Sequence, residues 1–376
     1  MMFVLMKVPL LDLQRQNLPM EAELLDAFRR VLTSGQFILG PEVEQFENAA
    51  AAVVGARFGI GVSSGTDALL VALMALGIGP GDEVICPSFT FFATAGSIAR
   101  VGARPVFADS CPECFNIDPA GIEPLITPRT KAIIPVHLFG QAADMDPVLE
   151  IARRHGLAVI EDAAQAFGAV YRGRPAGSLG DFGTISFFPT KNLGALGDAG
   201  LVVTNDEALA QKARLLRNHG ASRRYFHSLV GGNFRLDAVQ AALLRVKLPR
   251  LVEFTAQRQG HFAAYNRALA GRDGLVLPTT HPDRTHIANQ YTLRVRRGRR
   301  DALRRFLQER GIASEIYYPV PMHAQECFRP FGPHPALPVA EALADEVVSL
   351  PVFPEMTSEE RDAVVAAIEK GTDAFS

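Results

Sequence analysis

The sequence predicts an α/β fold, a mostly parallel seven-stranded sheet covered by helices and followed by a smaller C-terminal α+β domain. Three observations carry that expectation. From about residue 58 to residue 205, short β-rich runs alternate with longer helical stretches, the pattern of crossover units in a parallel sheet. Past about residue 249 the alternation gives way to looser, proline-rich links. At 376 residues the chain is also too long for one small domain, so two lobes are the natural expectation.

The strand candidates of the first lobe are Phe58–Val62, Glu83–Cys86, Arg104–Ala108, Ala132–Val136, Ala158–Glu161, Thr184–Phe188 and Leu201–Thr204. Between them lie helix candidates such as Asp67–Leu76, Thr94–Val101 and Asp146–Arg154. The punctuation agrees: Gly77 closes the first of these helices, and Pro80-Gly81-Asp82 turns the chain into the next strand. In the second lobe Asn289–Arg297 and Ala313–Tyr318 read as strands, and Arg300–Arg310 and Ser358–Lys370 as helices. The helical run Leu236–Lys247 leads towards it, which places the domains at 1–248 and 249–376. No internal repeat or low-complexity tract interrupts either half.

Charge excludes some partners. The formal net charge is -2, with acids and bases mixed along the chain, so no field favours nucleic acid or an anionic membrane. The chain opens on an apolar run with its lysine after it, the reverse of an export signal, and no segment approaches eighteen uninterrupted apolar residues. Four cysteines make no disulfide framework. Cys111-Pro-Glu-Cys114 has metal-like spacing without a second pair, so it reads as a solvent-side turn and no metal is expected. The expected location is the cytoplasm.

Ligands of a parallel sheet gather where strand carboxyl ends meet helix N-termini, and four such loops hold informative residues. Ser63-Ser64-Gly65-Thr66-Asp67 is small enough for backbone N–H groups to approach a phosphate; it reads equally as a helix cap. Ile160-Glu161-Asp162-Ala163-Ala164-Gln165 ends an apolar strand in a carboxylate that is expensive to bury unless a cation meets it. A cap for the following helix is the competing reading. Ser186-Phe187-Phe188-Pro189-Thr190-Lys191-Asn192-Leu193-Gly194 follows a strand-end hydroxyl, five residues on, with a lysine among apolar neighbours. Desolvation of that kind makes a lysine nucleophilic. Pro87-Ser88-Phe89-Thr90-Phe91-Phe92 offers an aromatic to stack on a flat ring, or simply core.

In chain order these segments resemble the DegT/DnrJ/EryC1/StrS sugar aminotransferases, of the aspartate-aminotransferase (type I) fold. The resemblance runs from Ser34-Gly35-Gln36-Phe37-Ile38-Leu39-Gly40-Pro41 through Gly79-Pro80-Gly81-Asp82, Asn218-His219-Gly220 and Gly232-Asn233-Phe234-Arg235 to Tyr318-Pro319-Val320-Pro321-Met322-His323 and Leu350-Pro351-Val352-Phe353-Pro354. It implies pyridoxal 5'-phosphate as cofactor, carried as a Schiff base on Lys191, with Asp162 holding the pyridine nitrogen and Gln165 near the ring hydroxyl. Gly65, Thr66 and Ser186 would hold the phosphate and Phe91 would stack on the ring. Asn233 would reach the cofactor of a second subunit, so a homodimer with shared active sites is implied; the alternative for Asn233 is a turn cap.

The same resemblance implies transamination from L-glutamate to a nucleotide-linked keto sugar. Arg223, Arg224 and Tyr225 are candidates for the sugar-nucleotide diphosphate, against a solvated basic loop. His323 is a substrate candidate, and both it and His219 read equally as satisfied imidazoles. The run Asn192–Gly200 looks like the 3-amino branch, since the 4-amino branch carries a histidine near the position of Phe188 and a Thr-Gly-Glu-Gly-Gly run. A dehydrating relative has histidine where Lys191 stands. Aminotransfer to a keto-inositol or related cyclic ketone, formation of an aminoaryl acid, and a cofactor-binding regulatory protein remain the alternatives.

Overall fold

The computed structural model describes residues 7–373. The apolar run at residues 1–6, read above as no export signal, lies outside them. Seven strands form the central sheet: β1 (Phe58–Val62), β2 (Glu83–Pro87), β3 (Arg104–Ala108), β4 (Thr130–Ile133), β5 (Ala158–Asp162), β6 (Phe182–Ser186) and β7 (Gly200–Thr204). Their order is β1-β7-β6-β5-β4-β2-β3. Only β7 runs against its neighbours, and the other strands share one direction. The apolar sequence dictates this burial. Every residue of β2 and β7 is inaccessible, as a strand covered on both faces requires.

Two strands lie earlier than their apolar runs suggest: β4 begins two residues and ends three residues early, at Ile133, and β6 begins and ends two residues early, at Ser186. The apolar residues beyond these ends, Val136 and Phe188, enter the loops that line the cavity described below.

Helix Gly65–Ala75 follows β1 and is apolar almost all round, with Ala68 to Leu73 and Ala75 buried. A helix so placed packs on several sides, here on helices Phe92–Arg100 and Glu207–Arg217 and on β6 and β7. Helix Glu21–Ser34 buries Leu24, Ala27 and Val31 against helix Ala238–Lys247. Its other side leaves Leu25, Phe28 and Leu32 exposed.

The C-terminal part has its own hydrophobic cluster, including Phe262, Tyr265, Tyr291, Leu293, Leu303, Val348 and Ile368. Val8, from the other end of the chain, joins it and pairs with Ile312. The small antiparallel sheet there consists of Leu275–Val276, Tyr291–Val295 and Val347–Leu350. Ala313–Tyr318 is not one of its strands. That segment makes a single bridge, Glu315 to Ser349, and its end carries Tyr317 and Tyr318 to the cavity. Among the described residues no helix is long and apolar enough to cross a membrane, and no acid–histidine–cysteine cluster has the make-up of a metal site.

Candidate active site

A cavity of about 450 Å³ opens at the carboxyl ends of β1, β5 and β6. Its floor at the β1 end is the N-terminus of helix Gly65–Ala75. Ser64 Oγ accepts from the Asp67 N–H at 3.1 Å, and Ser63 Oγ donates to Asp67 Oδ2 at 2.5 Å. The serines are thus spent on capping, while the N–H groups of Gly65 and Thr66 lie in the turn that has no intrahelical acceptors. The backbone there is pressed close to its neighbours. A Cβ on Gly65 would lie 2.7 Å from Ser186 Cβ, and one on Gly200 would lie 2.4 Å from the Ser64 carbonyl carbon. Bare backbone at a helix N-terminus beside a serine hydroxyl is a cradle for a phosphate.

Asp162 ends β5 and is buried. Thr94 donates to its Oδ2 at 2.8 Å and the Ala164 N–H to its Oδ1 at 3.2 Å. Burial pushes the carboxyl above the usual range, although these donors, Lys191 and His137 all favour its charged form. A carboxylate in that position is matched to a cationic ring N–H.

Its neighbour Glu161 faces the other side of the sheet, as strand alternation requires. There it accepts from the N–H groups of Gly177, Leu179 and Gly180. His137 Nδ1 accepts from the Ala143 N–H at 3.0 Å, so the imidazole proton sits on Nε2 and is given to Glu161 at 2.9 Å. The two adjacent acids therefore have different jobs: Glu161 fixes a loop and Asp162 faces the cavity.

Lys191 follows β6 in a turn closed by its own N–H to the Phe188 carbonyl, 2.9 Å. Asn192 Nδ2 donates to the Ile287 carbonyl at 2.9 Å, and buried Lys247 donates to the Gly194 carbonyl at 2.6 Å, which anchors the segment on both sides. The Lys191 side chain is partly open to the cavity, yet its ammonium lies deep among protein atoms. Burial brings it down to about 8, with Asp162 opposing. Gln165 is held between the Phe139 N–H, given to its Oε1 at 2.6 Å, and the Tyr318 hydroxyl at 3.1 Å. The Phe91 ring tilts on Tyr318 at 5.9 Å and lines the mouth, 54% exposed, with an open face.

Gly65, Thr66, Phe91, Asp162, Gln165, Ser186 and Lys191 thus meet at one cavity. Asn233 does not line it: this residue is exposed and its backbone bridges Asn218. Arg223, Arg224 and Tyr225 stand on the exposed ribbon Ala221–Arg223/Phe226–His227, also apart from the cavity lining. His323 is engaged elsewhere, by Ser88 Oγ at 2.7 Å and Glu341 at 3.2 Å; His219 is exposed. Thr94, Gln290, Tyr317 and Tyr318 belong to the site without having been singled out in the sequence. Only the tyrosines carried a signal, in the segment leading to Pro319.

A profile of the DegT/DnrJ/EryC1/StrS aminotransferase family matches residues 19–369. The chain belongs to that family. Among DegT/DnrJ/EryC1/StrS proteins it is 46% identical over 366 residues to the UDP-N-acetyl-3-dehydro-alpha-D-glucosamine 3-aminotransferase of Acidithiobacillus ferrooxidans, covering 96% of this chain and 97% of that protein. It is 51% identical over 366 residues to a protein of Geobacillus stearothermophilus named as a pleiotropic regulatory protein, covering 96% and 98%. The crystal structure of DesV from S. venezuelae in complex with a ketimine intermediate superposes with a TM-score of 0.94 at 44% identity, covering 98% of this chain and 99% of that one. The fold is therefore that of the type I aminotransferases, with the expected mostly parallel seven-stranded sheet.

Proposed function

We propose that the protein is a pyridoxal-phosphate-dependent aminotransferase that turns a nucleotide-linked 3-keto sugar into the 3-amino sugar, with L-glutamate as donor. The observation that carries this reading is the meeting of Lys191 and Asp162 at one cavity, beside the bare helix N-terminus at Gly65 and Thr66. The donor set fits pyridoxal 5'-phosphate: backbone N–H groups and Ser186 for the phosphate, Asp162 for the pyridine nitrogen, Gln165 for the ring hydroxyl side and Phe91 for the ring face. When bound there, the cofactor supplies an electrophilic carbon for amines and a protonated ring that spreads the electrons of a broken C–H bond.

The residues of this chain do the rest. Asp162 keeps the ring-nitrogen proton in place, and its bond from Thr94 fixes the carboxylate. Lys191 Nζ, brought down to about 8, is far more available as a neutral amine near neutrality than an exposed lysine. From the cavity wall it would take a proton from the donor substrate and return one to the sugar carbon. The half-closed cavity limits water around these steps.

The 3-keto preference rests on the run Asn192–Gly200 and on the name of the A. ferrooxidans relative. A homodimer is supported by exposed Asn233 and by the uncovered apolar side chains Leu25, Phe28, Leu32, Phe37 and Ile38. Within that dimer Asn233 would meet the partner's cofactor, and Arg223, Arg224 and Tyr225, with His323 as a further candidate, would meet the sugar nucleotide. The division into lobes at 1–248 and 249–376, supported by the separate C-terminal cluster, and a cytoplasmic location belong to the same proposal.

The name of the G. stearothermophilus relative favours a second reading, a cofactor-binding regulatory protein. Incubating the cofactor-loaded protein with L-glutamate and UDP- or dTDP-linked 3-keto sugars, and measuring 2-oxoglutarate and the amino sugar nucleotide by mass spectrometry, separates the two. Formation of both products is expected. Bound cofactor without 2-oxoglutarate would transfer the case to the regulatory reading.

A further inference from the structure

The Cys111-Pro112-Glu113-Cys114 turn plays no part in the site above, yet its geometry is specific. The Phe115 N–H closes the turn on the Cys111 carbonyl at 2.9 Å, and the Cys111 N–H reaches the Asn116 carbonyl at 2.8 Å. The bond is that of a single helical turn, in which Cα atoms three residues apart lie about 5 Å from one another, within the span that a disulfide bridges. The Cys111 thiol donates to Glu113 Oε2 at 3.2 Å, and Cys114 stands three residues on in the same turn. From outside, Arg294 donates to the Pro112 carbonyl at 3.1 Å and Thr279 to the Glu113 carbonyl at 3.5 Å, which fixes the turn against the C-terminal part. Cys111 is half-buried and Cys114 is buried beneath it, 7% exposed.

We propose that Cys111 and Cys114 form a redox-active dithiol, with Cys111 the attacking thiol and Cys114 the resolving one, that closes to a disulfide by exchange with a low-molecular-weight disulfide. The Cys111 thiolate attacks one sulfur of the small disulfide and releases its first thiolate, leaving a mixed disulfide on Cys111. Cys114 then gives up its proton and attacks Cys111 Sγ, releasing the second small thiol. Two electrons pass to the small disulfide, and the two protons end on the two released thiols.

The electrostatics suit this order. The neighbouring Cys114 thiol, and after it the Cys114 and Glu113 N–H groups, bring Cys111 down to about 7 against burial and the Glu113 carboxylate. Thiols near ambient pH are the efficient attackers. Cys114 is held far above the ordinary thiol range, first by the neighbouring Cys111 sulfur and then by burial. Capture of the Cys111 thiolate in the mixed disulfide removes the charge beside Cys114, so the second step is released by the first.

The test uses the full chain in its native state, incubated with excess oxidised glutathione near neutral pH. Remaining thiols are then alkylated after unfolding, and the peptides are weighed. The expected result is a peptide spanning 111–114 lighter by the mass of two hydrogens and unalkylated, reverting with dithiothreitol. Cys114→Ser should stop at glutathione bound to Cys111, and Cys111→Ser should leave Cys114 free. Exposed Cys327 should take up glutathione alone, which reports in each sample that the oxidant acts. Full alkylation of Cys111 and Cys114 in the wild type, or a mixed disulfide on Cys111 that persists there, would overturn the proposal.

Discussion

Substituting Lys191 by methionine isolates the energetic cost of placing that amine at the cavity. Burial lowers the folded-state value from 10.5 to about 8, so protonated lysine is disfavoured in the folded state. Below the folded value both states carry the proton, and the folded state bears the whole penalty, about 3.4 kcal/mol at 1.36 kcal/mol per unit. Between the two values the folded lysine is neutral while the unfolded one still binds a proton. Stability therefore rises with pH in that window. From about pH 7 to about pH 9.5 the penalty falls by about 2 kcal/mol, and Lys191→Met, which cannot titrate, lacks this gain. The assay is urea unfolding of both cofactor-free proteins at the two pH values. The wild type should gain on the variant by about 2 kcal/mol at the higher pH. A difference between the two proteins that does not change with pH would refute the reasoning, because the lysine would then titrate alike folded and unfolded.

Three other substitutions bear on the cradle, the frame and the ribbon. Gly65→Ala places a methyl 2.7 Å from Ser186 Cβ, an overpacking cost of about 1–3 kcal/mol that should weaken pyridoxal-phosphate binding roughly tenfold or more in a fluorescence titration. Arg217→Met leaves Glu47, which also accepts from the Gly61 N–H at 2.7 Å, as a buried unpaired carboxylate. The urea midpoint should fall by the equivalent of about 3–5 kcal/mol. An Arg223/Arg224 double alanine variant should raise KM for the sugar nucleotide well above its effect on KM for glutamate in steady-state assays.

Much of the site was legible because its residues sit where short apolar strands stop. Asp162 and Ser186 are the last residues of β5 and β6, and Lys191 follows within one turn. What stayed hidden depends on contacts distant in sequence. Nothing local marks Thr94, inside a helix, as the donor to a carboxylate 68 residues away. Ile316-Tyr317-Tyr318 has strand propensity, but the cavity takes its tyrosines, and the place beside Tyr291–Val295 goes to Val347–Leu350. That strand follows helix Pro338–Glu346 with no turn signal between them. The placement of Asn233 and of the ribbon at 221–227 outside the cavity was equally invisible, since local pattern fixes an element and not what it faces.

The most direct test of the central claim is the absorption spectrum of the protein reconstituted with pyridoxal phosphate, before and after L-glutamate, beside Lys191→Met. The account predicts a visible band in the wild type that moves to the near ultraviolet with glutamate and is absent from the variant. No visible band after reconstitution, or the same band in both proteins, would contradict it.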